Sequence, residues 1–96
     1  MTLKTTRFDP AEYLESPDAQ AEFIAAALET EDAAYISHAF GVIAKARGMS
    51  QLARDTGLSR ESLYRALSRD GNPGLSTILK VAHALGVKLT AEPARI

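Results

Sequence analysis

Ninety-six residues, 46% of them apolar and with a net charge of −1, make one small domain with a modest core. Cysteine is absent, which excludes disulfides and thiolate metal sites and fits a cytoplasmic location. No apolar run approaches the roughly 18 residues of a membrane span, and the N-terminus has no signal-peptide pattern.

Residues 1–8 show no helical period, and Thr2, Thr5, Thr6 and Phe8 favour strand. They read as a short edge strand, an arm on a partner or an unstructured segment. Asp9-Pro10 is a helix start, with Asp as cap and Pro at the first helical position, but only a turn or so follows. Ser16-Pro17-Asp18 repeats the signal. Phe23, Ile24, Ala27 and Leu28 then form one apolar stripe, with the helix ending near Thr30. A new start in Thr30-Glu31-Asp32 predicts a helix over 33–47. Its apolar stripe is Ile36, Phe40, Ile43 and Ala44, with Lys45 and Arg47 complementing its C-terminal dipole. Gly48 ends it.

The stretch from Met49 to Leu67 reads as two short helices and a tight turn. Ser50 is expected to cap the first, which Gly57 stops in a left-handed turn. Ser59 caps the second. Leu52 and Thr56 lie four apart on one helix, and Leu63 and Leu67 four apart on the other, with Ala66 beside them. Leu58 plugs the angle between the two, and Ala53 is small enough for close approach. Arg60, Glu61, Tyr64 and Arg65 are left on the outer face of the second helix, with Ser62 at its margin. Such a helix, apolar behind and polar in front, suits the major groove of DNA.

Residues 68–74 form a loop by every local signal. Ser76 is expected to cap a last helix with Ile78, Val81, Ala82 and Leu85 inward, closed by Gly86. Residues 87–92 alternate apolar and polar, a short strand pattern ending at Pro93. The charge is divided along the chain. Residues 1–40 carry two basic and eight acidic side chains, a net −6, while residues 41–96 carry nine basic and four acidic, a net +5. The basic half suits phosphate. The acidic half either suits a basic protein partner or is a set of solvated helix faces.

The segment from about Gly48 to Leu89 resembles the helix-turn-helix domain of phage-repressor-type regulators, and most of all the addiction-module antidote (antitoxin) branch. The likeness is carried by the run from Ala46 to Arg54, the run from Thr56 to Leu67, the loop Gly71-Asn72-Pro73, and Lys80-Val81 with Ala84-Leu85-Gly86-Val87. The opening Phe8-Asp9-Pro10-Ala11-Glu12-Tyr13-Leu14 is similar too. The resemblance implies a small, typically basic toxin partner of the RelE/ParE-like class and repression of a shared promoter.

The fold is therefore expected to be all-α, a phage-repressor-like helix-turn-helix domain of about five helices with short extended N- and C-terminal segments. Within the single domain, residues 1–31 form an acidic extension and toxin-binding candidate. Residues 32–86 form the DNA-binding core, and 87–96 a tail or short strand. A homodimer on a palindrome is expected. Arg60 and Arg65 are the main DNA candidates, since arginine can pair with guanine O6 and N7. Glu61 either accepts from cytosine N4 or serves the helix dipole. Tyr64 meets a thymine methyl or a phosphate, or packs on the supporting helix. Ser59 is first a cap. Ser50 and Gln51 sit at a helix N-terminus, a ready anion site. Arg69 and Asn72 are placed to touch backbone phosphate. His38 and His83 lie on different helices with no acid-plus-nucleophile pattern, so no enzyme, cofactor or metal site is expected. The alternatives are a stand-alone repressor without a toxin partner and a protein adaptor whose motif does not bind DNA.

Overall fold

The computed structural model of the chain describes residues 16–94. The described part is all-α. Its five helices are α1 (Pro17–Glu29), α2 (Ala33–Arg47), α3 (Met49–Thr56), α4 (Arg60–Ala66) and α5 (Leu75–Leu85). None is long and apolar enough to cross a membrane. The expected extended stretch over 1–8 and the turn of helix after Asp9-Pro10 lie outside the described residues.

Helix α1 starts as its sequence dictates. The Ser16 hydroxyl oxygen accepts the Ala19 N–H at 3.1 Å, and Pro17 takes the first helical position. Ile24 and Ala27 are buried, whereas Leu28 stands at the edge of the stripe, 40% exposed. The link to α2 is held by its own side chains. The Thr30 hydroxyl donates to the Ala27 carbonyl at 2.6 Å and accepts the Asp32 N–H at 3.1 Å. Asp32 Oδ1 then accepts the N–H groups of Ala34 and Tyr35 at 3.0 and 3.2 Å, capping α2. Asp32→Ala is expected to cost about 1 kcal/mol, the usual worth of such a cap, and Asp32→Asn much less. Thermal denaturation followed by circular dichroism measures both; equal midpoints for the two variants would show that the cap carries no stability.

Helix α2 is the spine. Ala39, Phe40, Ile43 and Ala44 are completely buried, with α1 packed on one side and α3 on another. Helix α3 in turn touches α2, α4 and α5, and its Leu52 is fully buried among them. Gly48 joins the two helices in a conformation that suits glycine (φ 112°). Its N–H donates to the Ala44 carbonyl and its own carbonyl accepts from Leu52. One residue thus ends α2 and begins α3. This corrects the expectation for Ser50, which lies inside the first turn and caps nothing. The cause is Met49, whose side chain is drawn into the core and pulls the helix start forward.

The turn between α3 and α4 follows the sequence reading. Gly57 is left-handed, and the Thr56 hydroxyl donates to the Leu52 carbonyl while accepting the Leu58 N–H. Leu58 packs half-buried against the core. Helix α5 begins one residue before the expected cap. Gly74, not Ser76, is the N-cap, because the Gly74 carbonyl accepts the first helical bond, from Ile78 N–H at 3.1 Å. At its other end, left-handed Gly86 lets Gly86 N–H reach the His83 carbonyl and Val87 N–H the Ala82 carbonyl, with Val87 buried beneath. The expected strand over 87–92 does not form, and the described residues contain no strand at all. Among the described residues there is no strand for it to pair with, and Val87 and Leu89 pack individually against the helical core.

Candidate nucleic-acid interface

Helix α4 is anchored from behind by Leu63, fully buried, and by Leu67 at its C-cap. At 3.6 residues per turn, Glu61 and Arg65 fall on the side directed away from these leucines. Arg60 and Tyr64 lie on one flank and Ser62 on the other. All five are exposed. Arg60 and Arg65 have no hydrogen-bond or ion-pair partner among the described residues. Two fixed positive charges therefore project into solvent from a short, rigidly backed helix.

The supporting helix extends this face. Gly41, inside α2, lies against the end of α4 so closely that a Cβ there would overlap the Leu67 carbonyl oxygen. One turn further along α2, the Lys45 ammonium sits 5.9 Å from the Tyr64 ring centroid. In the opposite direction the Arg69 guanidinium lies 5.8 Å from the Tyr35 ring. Lys45 and Tyr35 thus stand beside the residues of α4 and its following loop. Sequence reading assigned Lys45 to its own helix dipole and gave Tyr35 no role. The available signal was the interior glycine: a gap in α2 marks where another helix comes close, and Lys45 is one turn from it.

Residues 4–93 match a family model described as probable addiction module antidote protein. The chain belongs to this family. It is also similar to an uncharacterized protein of Haemophilus influenzae, 42% identical over 95 residues that span 99% of this chain and 98% of the relative. No solved structure matches it. Membership of an antidote family suggests an antitoxin role and implies a toxin partner. Antitoxins are generally not enzymes.

For an antidote protein, the remaining candidates divide by what already engages them. The Gln51 amide is bridged on the surface of α3, its Nε2 donating to Asp55 at 2.8 Å and its Oε1 accepting from Arg54 at 2.9 Å. Ser50, the residue before it, is exposed. Helix α3 has no side-chain cap, so its first N–H groups have no side-chain acceptor of their own. Ser59 and Ser62 are occupied with each other: Ser59 Oγ accepts the Ser62 N–H and donates to Ser62 Oγ at 2.9 Å. In the loop after α4, Ser68 Oγ donates to the Arg65 carbonyl, and Gly71 lies tight over the Arg65 and Ala66 carbonyls, where no Cβ would fit. This backing leaves Arg69 and Asn72 exposed.

Arg47 is exposed but engaged. Its guanidinium donates to the Ala84 and Leu85 carbonyls at 3.1 and 3.4 Å. It therefore complements the C-terminus of α5 as well as the last turn of its own helix, tying the two together. The acids gather elsewhere. From Ser16 to Ala44 there are five acidic residues and no Lys or Arg. Asp18, Glu22 and Glu29 on α1, and Glu31 and Asp32 after it, are all exposed.

Proposed function

We propose that this chain is a cytoplasmic antitoxin that binds and silences a small basic toxin of the RelE/ParE-like class. Through α4 it also binds the promoter of their shared operon and represses it. The observation that carries the DNA part is the exposed pair Arg60 and Arg65, without a partner among the described residues, on a helix whose back is locked by Leu63 and Leu67. In this reading Glu61, Tyr64 and Arg65 face base edges. Ser50, Gln51, Ser59, Ser62, Arg69 and Asn72 hold flanking phosphates, and Lys45 adds a charge beside Tyr64. Arg60, at the entrance of the helix, serves either surface. The core over 32–86 supplies DNA binding, and the acidic region over 1–31, which basic DNA-facing surfaces leave aside, serves the toxin.

A single short helix makes few base contacts, so a homodimer on a palindrome is the form expected to bind, with half-sites roughly 34 Å apart. Two measurements test the reading together. Purification of the tagged chain from its native host is expected to bring down a basic protein of about a hundred residues, the size of a single small domain. Gel-shift titration against the DNA upstream of its own reading frame is expected to show a retarded band whose affinity falls steeply with salt. A retarded band without a companion protein would leave a stand-alone repressor. A companion without a band would leave a toxin-binding protein that does not touch DNA.

A further inference from the structure

The outer edge of α1 forms one wall of a groove whose other wall is the tail after α5. Ala21, Ala25 and the half-exposed Leu28 face Val87 and Leu89 across a cavity of about 180 Å³. A wider cleft of about 540 Å³ adjoins it, bounded by Glu29, Glu31 and Glu92 and sharing the Leu28 wall. The three carboxylates have no ion-pair partner among the described residues. A seat of mixed lining, apolar along α1 but carrying Lys88 and Thr90 on the tail side, and an acidic cleft thus lie side by side on a surface with no Lys or Arg along α1.

Size and charge together select the occupant. A cavity of roughly 150 Å³ has room for one benzene-sized group, so the volume of this seat fits a single large side chain whose apolar part lies along α1. A second copy of the same surface would set three carboxylates and a single lysine, Lys88, against the same net negative set. We propose that the groove between α1 and the tail seats one aromatic or aliphatic side chain of the basic toxin, with an adjacent Lys or Arg of that toxin held in the cleft of Glu29, Glu31 and Glu92. This rests on the antitoxin reading above. The apolar anchor supplies most of the affinity, because exposed ion pairs contribute little, while the carboxylates guide approach and select a basic partner.

The test uses the full chain and the protein encoded by the adjacent reading frame, titrated calorimetrically. Ala25→Arg with Glu29→Arg fills the seat and reverses its charge at exposed helical positions, where arginine is well tolerated. That double variant is expected to lose about 30-fold or more in affinity, as for a central anchor of an interface. Leu28→Ala, which empties one wall without adding charge, is expected to lose about tenfold. Ala26→Arg, exposed on α1 but outside the groove, is expected to stay within about threefold, as a contact beyond the interface should. Circular dichroism of all three should match the unsubstituted chain. Undiminished binding by both groove variants would overturn the groove and leave the antitoxin reading intact. Failure of the unsubstituted chain to bind would overturn that reading and the groove with it. A change of oligomeric state in the double variant, seen by light scattering, would show the occupant to be a second copy and overturn a basic toxin there.

Discussion

Arg60→Ala combined with Arg65→Ala is expected to weaken operator binding by about 100-fold or more while leaving the fold untouched. Each arginine that pairs with a base edge is worth roughly 1–3 kcal/mol of discrimination, and tenfold in affinity corresponds to about 1.4 kcal/mol. Both side chains are exposed and have no partner among the described residues, so their removal takes none of the described hydrogen bonds with it. Surface substitutions of that kind change stability by about 0.5 kcal/mol at most, and alanine favours helix. The single variants separate the two roles. Loss of a phosphate contact weakens all sequences alike and reduces the salt slope by about one, whereas loss of a base contact relaxes specificity at one position. Gel shifts at several salt concentrations, with circular dichroism alongside, provide the measurement. A fall in helicity matching the fall in affinity would mean that these arginines support the fold instead of reading DNA.

The elements that were legible in the sequence are those fixed by neighbours along the chain. Ser16, Asp32, Gly57, Ser59 and Gly86 act within four residues of themselves, and each caps or turns the chain as its chemistry predicts. The misread starts share a cause. Ser50 and Ser76 have good capping side chains, but Met49 burial and the Gly74 carbonyl set the helix registers first. The tail over 87–92 has a strand's alternation but no strand partner among the described residues, which pattern alone does not reveal. The outward face of α4 was legible because Leu63 and Leu67 define its back. The contribution of α2 was not, because Lys45 meets Tyr64, and Tyr35 meets Arg69, only through a helix-to-helix approach. Arg47 sits in the last turn of its helix as read, but its tie to α5 was not legible, because its acceptors, Ala84 and Leu85, belong to a distant part of the chain.

Gly41→Ala tests that approach directly, and here two physical effects have opposite signs. In an unobstructed helix interior the substitution is expected to stabilise by roughly 0.5–1 kcal/mol, since glycine carries a larger entropic cost. At Gly41 the added Cβ would overlap the Leu67 carbonyl oxygen. The obstacle is backbone, so no rotamer change relieves it and the end of α4 must move away from α2. Overpacking of this kind costs about 1–3 kcal/mol, and every kcal/mol lowers the melting midpoint of a domain this size by roughly 4–8 °C. The steric effect is expected to win, so the midpoint falls despite the gain in helix propensity. Operator affinity should fall as well, even at temperatures well below the midpoint, because Leu67 is the rear anchor of the helix that carries Arg65. Trimming Leu67 to alanine in the same chain should not restore either property, since the colliding atom is still present. A raised midpoint with unchanged DNA affinity would show that α4 is not seated against Gly41, and the account of how its arginines are aimed would fall with it.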